Sequence, residues 1–154
     1  MTGTGQKRAG PAPEDLARGL AAMAVGATGV FTKTVVETDV YLFGGITGDL
    51  YRNHVDEEYM RRGPYGGRIA HGALMVGYMS AASSKLTEHC PVPIVSYGYD
   101  RIRFIKGVRL GDTVTVEYRI TEHMPDEAKT LAEVTCTNQR GEVVAAATHI
   151  MKFV

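Results

Sequence analysis

An α+β domain, with an antiparallel sheet wrapped around one long helix, is what this chain predicts. The order of its patterns carries that reading: one stretch dense in β-branched residues, one helical stretch apolar on every side, then consecutive strand candidates divided by turn residues. At 154 residues the length suits a single domain, and a chain of this size buries roughly two-thirds of its unfolded surface without staples.

Met1 to Pro13, rich in Gly, Thr and Pro, reads as a loose tail within a lead-in over residues 1–27, and the domain proper is expected over 28–154. The tail lacks the apolar stretch of a secretion signal. Cys90 and Cys136, the only cysteines, show neither metal-ligand spacing nor a disulfide framework, so a cytoplasmic protein with two reduced thiols is expected. From Gly29 to Glu37 the β-branched density predicts a strand. Thr38 and Asp39 then cap a short helix through Phe43 that Gly44-Gly45 ends, and Ile46 to Val55 reads as a loop. Asp56 to Arg62 predicts a short helix, with Asp56, Glu57 and Glu58 at its start and Arg61 and Arg62 at its end. Glu57 with Arg61 and Glu58 with Arg62 are i,i+4 pairs, which gives those charges a structural explanation.

Ile69 to about Glu88 is the one long helical candidate, apolar or small all round up to Ala82, so it belongs inside the fold. Broken by His71, Gly72, Gly77 and Ser80, its apolar part falls short of the ~20 residues needed to cross a bilayer. Strands follow at Ile94–Ile105, Thr113–His123, Lys129–Asn138 and Glu142–Phe153, with turns at 110–112, 124–127 and 139–141. In the second, Val114, Val116, Tyr118 and Ile120 alternate with polar residues. A sheet wrapped on one helix is the hot-dog arrangement, and its remaining face is commonly covered by pairing subunits, so a homodimer or larger assembly is expected. Lys and Arg total 17, as do Asp and Glu. That balance offers no field for nucleic acid or an anionic membrane.

The informative stretch is Thr47-Gly-Asp-Leu-Tyr-Arg-Asn-His-Val-Asp56, followed by Gly67-Arg-Ile-Ala-His-Gly-Ala-Leu-Met75. It resembles the MaoC-like dehydratases and (R)-specific enoyl-CoA hydratases, whose motif runs approximately Thr/Ser-Gly-Asp-x-Asn-Pro-x-His-x-Asp and then Gly-x-x-Ile-x-His-Gly-Met-Leu. Both spacings match, and the resemblance covers about residues 28 to 154. It implies a catalytic pair at Asp49 and His54, an oxyanion donor at the Gly72 N–H, and an active-site serine at Ser80. It also implies syn addition of water and an (R)-3-hydroxyacyl product, with coenzyme A carried as part of the acyl-CoA substrate and no separate cofactor. The chemistry is coherent on its own terms: hydrating an α,β-unsaturated thioester needs a base for the water, a proton for C2 and a stabiliser for the enolate oxygen. A glycine at a helix N-terminus leaves unpaired N–H groups open to a close-approaching oxygen.

Each residue also has a plainer account. Asp49 can close an Asx turn, His54 can be a hydrogen-bonded structural histidine, and Gly72 can simply permit close helix–sheet contact. His71 either packs at the helix start or shapes the pocket, and Ser80 can bond its own backbone. Arg103, Lys106 and Arg109 lie where the family tends to place cations near the nucleotide phosphates, although exposed basic clusters are usually solvated. Tyr51-Arg52 replaces the family's Asn-Pro, which frees an N–H and brings a cation close to the pair. Arg52 is therefore a candidate for a second substrate carboxylate, or else points to solvent. No metal-ligand spacing is visible. A hot-dog thioesterase is the second reading, weakened because the central helix offers only Lys85 and Glu88 as charges. The third is an inactive acyl-thioester-binding subunit.

Overall fold

The computed structural model describes residues 10–154; most of the expected tail, residues 1–9, lies outside them. The lead-in carries an element of its own, α1 (Pro13–Ala22), started by Pro13 and by Glu14 and Asp15 in its first turn. Leu16 and Leu20 of α1 pack on the core, and Met23 beyond it is fully buried. Next come β1 (Thr28–Thr34), α2 (Glu37–Thr47), α3 (Arg52–Val55), α4 (Glu57–Arg61) and α5 (Gly72–Thr87). The chain ends with β2 (Ile94–Phe104), β3 (Thr113–Met124), β4 (Lys129–Asn138) and β5 (Val143–Phe153). All strand pairs are antiparallel, and the sheet order is β1-β3-β4-β5-β2. This is the hot-dog fold expected from the sequence.

Alternation decides which face of the sheet is covered. Val114, Val116, Tyr118 and Ile120 of β3, Ala132, Val134 and Cys136 of β4, and Ala145, Ala147, Met151 and Phe153 of β5 are buried beside Met75, Tyr78, Met79 and Ala82 of α5. Polar groups also lie in this layer, Thr130 and His149 among them. His149 is fully buried: Nε2 meets Ser96 Oγ at 2.7 Å, Nδ1 meets the Tyr118 hydroxyl at 3.0 Å, and the Tyr99 ring stacks on it at 4.0 Å. Burial pulls its pKa down to about 4 and pushes the Cys136 thiol up to about 12, so that thiol is an inert part of the core.

The helices depart from expectation where glycine and loop contacts intervene. Helix α2 runs through Gly44 and Gly45 instead of ending there, because a Cβ on Gly44 would stand 2.5 Å from Leu50 Cδ2 and 3.0 Å from the Asp49 carbonyl oxygen. The glycine serves close packing, and the terminator is Gly48, at φ 81°. Asp39 caps from inside the first turn, accepting from the Val36 N–H at 2.9 Å. The segment expected as a loop at 46–55 thus holds the last turn of α2 and the whole of α3. Asp56 is the N-cap of α4, accepting from the Tyr59 N–H at 2.9 Å. Arg61 pairs with both Glu57 and Glu58, in place of the expected Glu58–Arg62 pair.

Helix α5 starts three residues later than its apolar pattern suggests. Ile69 and Ala70 are extended, with Ile69 bridging Arg109 and the Ala70 N–H donating to the Val108 carbonyl at 2.7 Å. Nor is α5 enclosed on every side: Ala73, Gly77, Ser80 and Ser84 form an exposed face. Among the described residues no helix is long and apolar enough to cross a membrane.

Candidate active site

Local turns place the functional side chains. Below the Gly48 cap, one oxygen of Asp49 closes an Asx turn, Oδ1 accepting from the Tyr51 N–H at 3.3 Å. The other, Oδ2, faces His54 Nε2 at 4.0 Å. The Asx turn and the pairing with His54 therefore coexist, one per oxygen. The Asp49 side chain is 52% exposed and that of His54 is 8% exposed.

His54 is held by main chain from the far side of the motif. Nδ1 lies 2.7 Å from the Ile69 carbonyl oxygen, which only accepts, so Nδ1 carries the proton and Nε2 presents its lone pair towards Asp49. The Ile69 N–H returns the contact, donating to the Asn53 carbonyl at 3.1 Å. Burial is the largest influence on His54 and lowers its pKa; His71 lowers it further, while the Ile69 carbonyl and Asp49 oppose the shift. A gap of 4.0 Å is too long for a direct hydrogen bond. It suits one water donating to both groups, since two bonds of about 2.8 Å meeting at roughly 90° span that distance.

His71 both packs and shapes the pocket. As N-cap residue of α5 it is 2% exposed, its ring lying 4.7 Å from Phe43 and stacked at 3.7 Å on His54. Its Nε2–H donates to the Asp49 carbonyl at 2.8 Å, tying the aspartate loop to the helix start, and its Nδ1 is buried without a partner among the described residues. Gly72 is the first residue of α5, so its N–H has no intrahelical acceptor. A Cβ there would meet the Phe104 ring at 2.7–2.9 Å, which places strand and helix in close contact as well. Asn53, His54, His71, Gly72, Phe104 and Lys106 are among the residues lining one cavity of about 230 Å³.

Asp49, His54 and His71 each bring a possible ligand atom within 4.8 Å of the others. The sequence spacing did not reveal this cluster, because His71 arrives from another element. The two imidazole rings stack at 3.7 Å and 27°. One nitrogen of each ring is also engaged with a main-chain carbonyl.

Other candidates lie elsewhere. Ser80, eight residues along α5 from Gly72 and so about 12 Å up the axis, is exposed and does not line the cavity. Its carbonyl accepts from the Ser83 and Ser84 hydroxyls. Arg52 is not presented to a second carboxylate: Nε and Nη2 bind Asp56 Oδ2 at 3.1 and 2.9 Å, and the guanidinium covers the Tyr59 ring at 4.1 Å. Arg103 turns back onto the Ile102 carbonyl and Arg109 onto the Gly66 carbonyl, while Lys106 reaches the cavity wall but pairs with Glu142 at 2.7 Å.

Sequence reasoning missed the supports. The Ile69 carbonyl orients His54, and a backbone atom leaves no sequence signal. Arg68, inside the motif, joins Glu37 at 2.8 Å and Glu57 at 3.3 Å, and its N–H donates to Glu57 at 3.1 Å. Those bonds fix the main chain just before Ile69.

The chain thus combines a hot-dog sheet with a long helix that begins beside a carboxylate–imidazole pair. Residues 22–143 match the family described as MaoC like domain, and the chain belongs to that family. It is 36% identical over 112 residues to the (R)-specific enoyl-CoA hydratase of Rhodospirillum rubrum, covering 73% of this chain and 76% of that one. It is 35% identical over 120 residues to the 3-hydroxybutyryl-CoA dehydratase of Methylorubrum extorquens, covering 78% and 73%. Among solved structures, the R-hydratase PhaJ1 from Pseudomonas aeruginosa superposes with a TM-score of 0.75 at 29% identity, covering 86% of this chain and 83% of that one. The (R)-hydratase from A. caviae shares the fold at a TM-score of 0.77 and 20% identity, covering 85% and 97%.

Proposed function

We propose that the protein hydrates trans-2-enoyl-CoA to the (R)-3-hydroxyacyl-CoA and catalyses the reverse dehydration, with Asp49 and His54 activating the water. The observation that carries this reading is the 4.0 Å gap between Asp49 Oδ2 and the His54 Nε2 lone pair, with His54 lining a cavity that also reaches Gly72, the first residue of α5. A water held by both acceptors gives one proton to His54 Nε2 as its oxygen bonds to C3. The alkene electrons move towards the thioester carbonyl, and the Gly72 N–H with the positive end of α5 stabilises the resulting oxyanion. His54 then returns the proton to C2 on the same face, which gives syn addition. The names of the relatives at 35–36% identity agree with this chemistry.

The working unit is a homodimer or larger assembly in the cytoplasm. Among the described residues the outer edge of β2 is unpaired; the strand carries exposed Val95, Tyr97 and Phe104, and the exposed α5 face is small enough for close apposition. Purified protein with crotonyl-CoA tests the reaction: loss of conjugated thioester absorbance without free thiol is expected, whereas thiol release marks a thioesterase. Asp49→Asn and His54→Gln should each lower turnover at least 10³-fold, in line with loss of a water-activating group. Asp49→Asn should keep the parent melting temperature, because that side chain is half exposed. Full activity in either variant refutes the assignment.

A further inference from the structure

The cavity beside His54 is uneven in charge. Among the described residues that line it, Lys106 is the only lysine, and no arginine, aspartate or glutamate joins it. The other walls are apolar, aromatic, imidazole or amide, and Gly72 brings the positive end of α5 to the same volume. A cleft with low-dielectric walls and charge of one sign concentrates ligands of the other.

The ammonium group that supplies this charge is replaceable where it now rests. Lys106 Nζ lies 2.7 Å from Glu142 Oε1, but Glu142 has other donors: Asn138 Nδ2 reaches Oε2 at 2.8 Å and Arg140 Nε at 3.0 Å. Departure of the lysine therefore leaves no carboxylate without a donor. The Lys106 side chain is 52% exposed, and exposed ion pairs contribute little, so an anion in the cavity draws the ammonium across at small cost. Arg52 is engaged by Asp56, and Arg103 and Arg109 by main-chain carbonyls.

We propose that Lys106 selects short acyl groups that carry a second carboxylate; the inference rests on the hydratase reading above and narrows its substrate class. With the thioester oxygen at the Gly72 N–H and C3 at the Asp49–His54 water, a short acyl group lies within the volume that Lys106 lines. An ammonium on a flexible four-carbon stem can meet a carboxylate over a range of positions, and the bond it forms there is charge-assisted.

Saturated thioesters test the recognition without turnover. Glutaryl-CoA and hexanoyl-CoA, close in length and differing in the terminal carboxylate, are titrated by calorimetry. The parent should bind glutaryl-CoA about tenfold tighter or more, the worth of one charge-assisted hydrogen bond. Lys106→Met, which keeps an unbranched stem and removes the charge, should abolish that ratio, and Lys106→Arg should retain most of it. The ratio of kcat/KM for glutaconyl-CoA over trans-2-hexenoyl-CoA should follow the same pattern. Equal binding of the two thioesters by the parent overturns the proposal. A ratio unmoved in Lys106→Met overturns it too, and equal weakening of both thioesters in that variant assigns the ammonium to the coenzyme A phosphates they share. Selective binding with no turnover of either enoyl-CoA refutes the hydratase reading while the carboxylate preference stands.

Discussion

Lowering the pH sets His149 against the fold. The histidine is fully buried between Ser96, Tyr118 and the Tyr99 ring, and its pKa falls from the ordinary 6.5 to about 4. Below pH 6.5 the unfolded chain takes up a proton that the folded chain refuses. The contribution of the neutral imidazole is therefore complete above that pH and drains away as pH falls towards about 4. A gap of about 2.5 pH units at ~1.36 kcal/mol each gives about 3 kcal/mol, a large share of a typical domain's stability. Urea unfolding followed by circular dichroism at several points between about pH 7 and about pH 4 should show the midpoint falling by the equivalent amount. Glu142, held at about 2 by hydrogen bonds from Asn138, Lys106 and Arg140, adds a loss of its own only once the pH falls below the ordinary carboxylate value of 4.5, at the acid end of this range. His149→Gln starts less stable because the Tyr99 stack is lost, but most of its pH slope should be gone. A slope equal to the parent's would show that another group drives the acid sensitivity.

Burial holds His54 below 6.5, so kcat/KM should stay flat through neutral pH and fall on the acid side with an inflection under 6.5; an inflection above it would contradict the buried, main-chain-held imidazole. Arg68→Met should cost about 2 kcal/mol in urea unfolding, between the values typical of exposed and buried ion pairs. It should lower kcat more than it raises KM by loosening the Ile69 carbonyl, and Arg68→Lys should recover little, because a single ammonium does not reproduce the fork that spans Glu37 and Glu57. Gly72→Ala must displace the half-exposed Phe104 ring and should reduce turnover about 10²-fold. Adding Phe104→Ala should not restore the rate if close approach of the thioester oxygen is the requirement, whereas full rescue would reduce Gly72 to a packing role.

The strands were legible because each buries one face: Val114, Val116, Tyr118 and Ile120 write that face directly into the sequence, and the bounds of β4 agree with the reading. The start of α5 was not, since Ile69 and Ala70 are as apolar as the helix but spend their N–H groups on Asn53 and Val108. Gly44 looked like a terminator because its contact with Leu50 and the Asp49 carbonyl is tertiary. Of the expected trio, Asp49 faces His54 at 4.0 Å, and His54 and Gly72 line one cavity. Arg52 misled for a related reason: with no helix assigned at 52–55, its i,i+4 partner Asp56 was not recognisable as one. Ser80 was assigned by likeness alone, and the helical rise carries it away from the cavity.

Between Asp49 and His71 the chain clasps itself. The Asn53 carbonyl takes the Ile69 N–H, the Ile69 carbonyl takes the His54 proton, and the His71 ring latches the Asp49 carbonyl. None of these bonds involves a strand of the sheet, so the clasp can spring open as a unit while the strands stay paired. Activity is therefore expected to be lost at a lower temperature than the β-sheet signal, and a preparation judged intact by that signal would already lack its catalytic geometry.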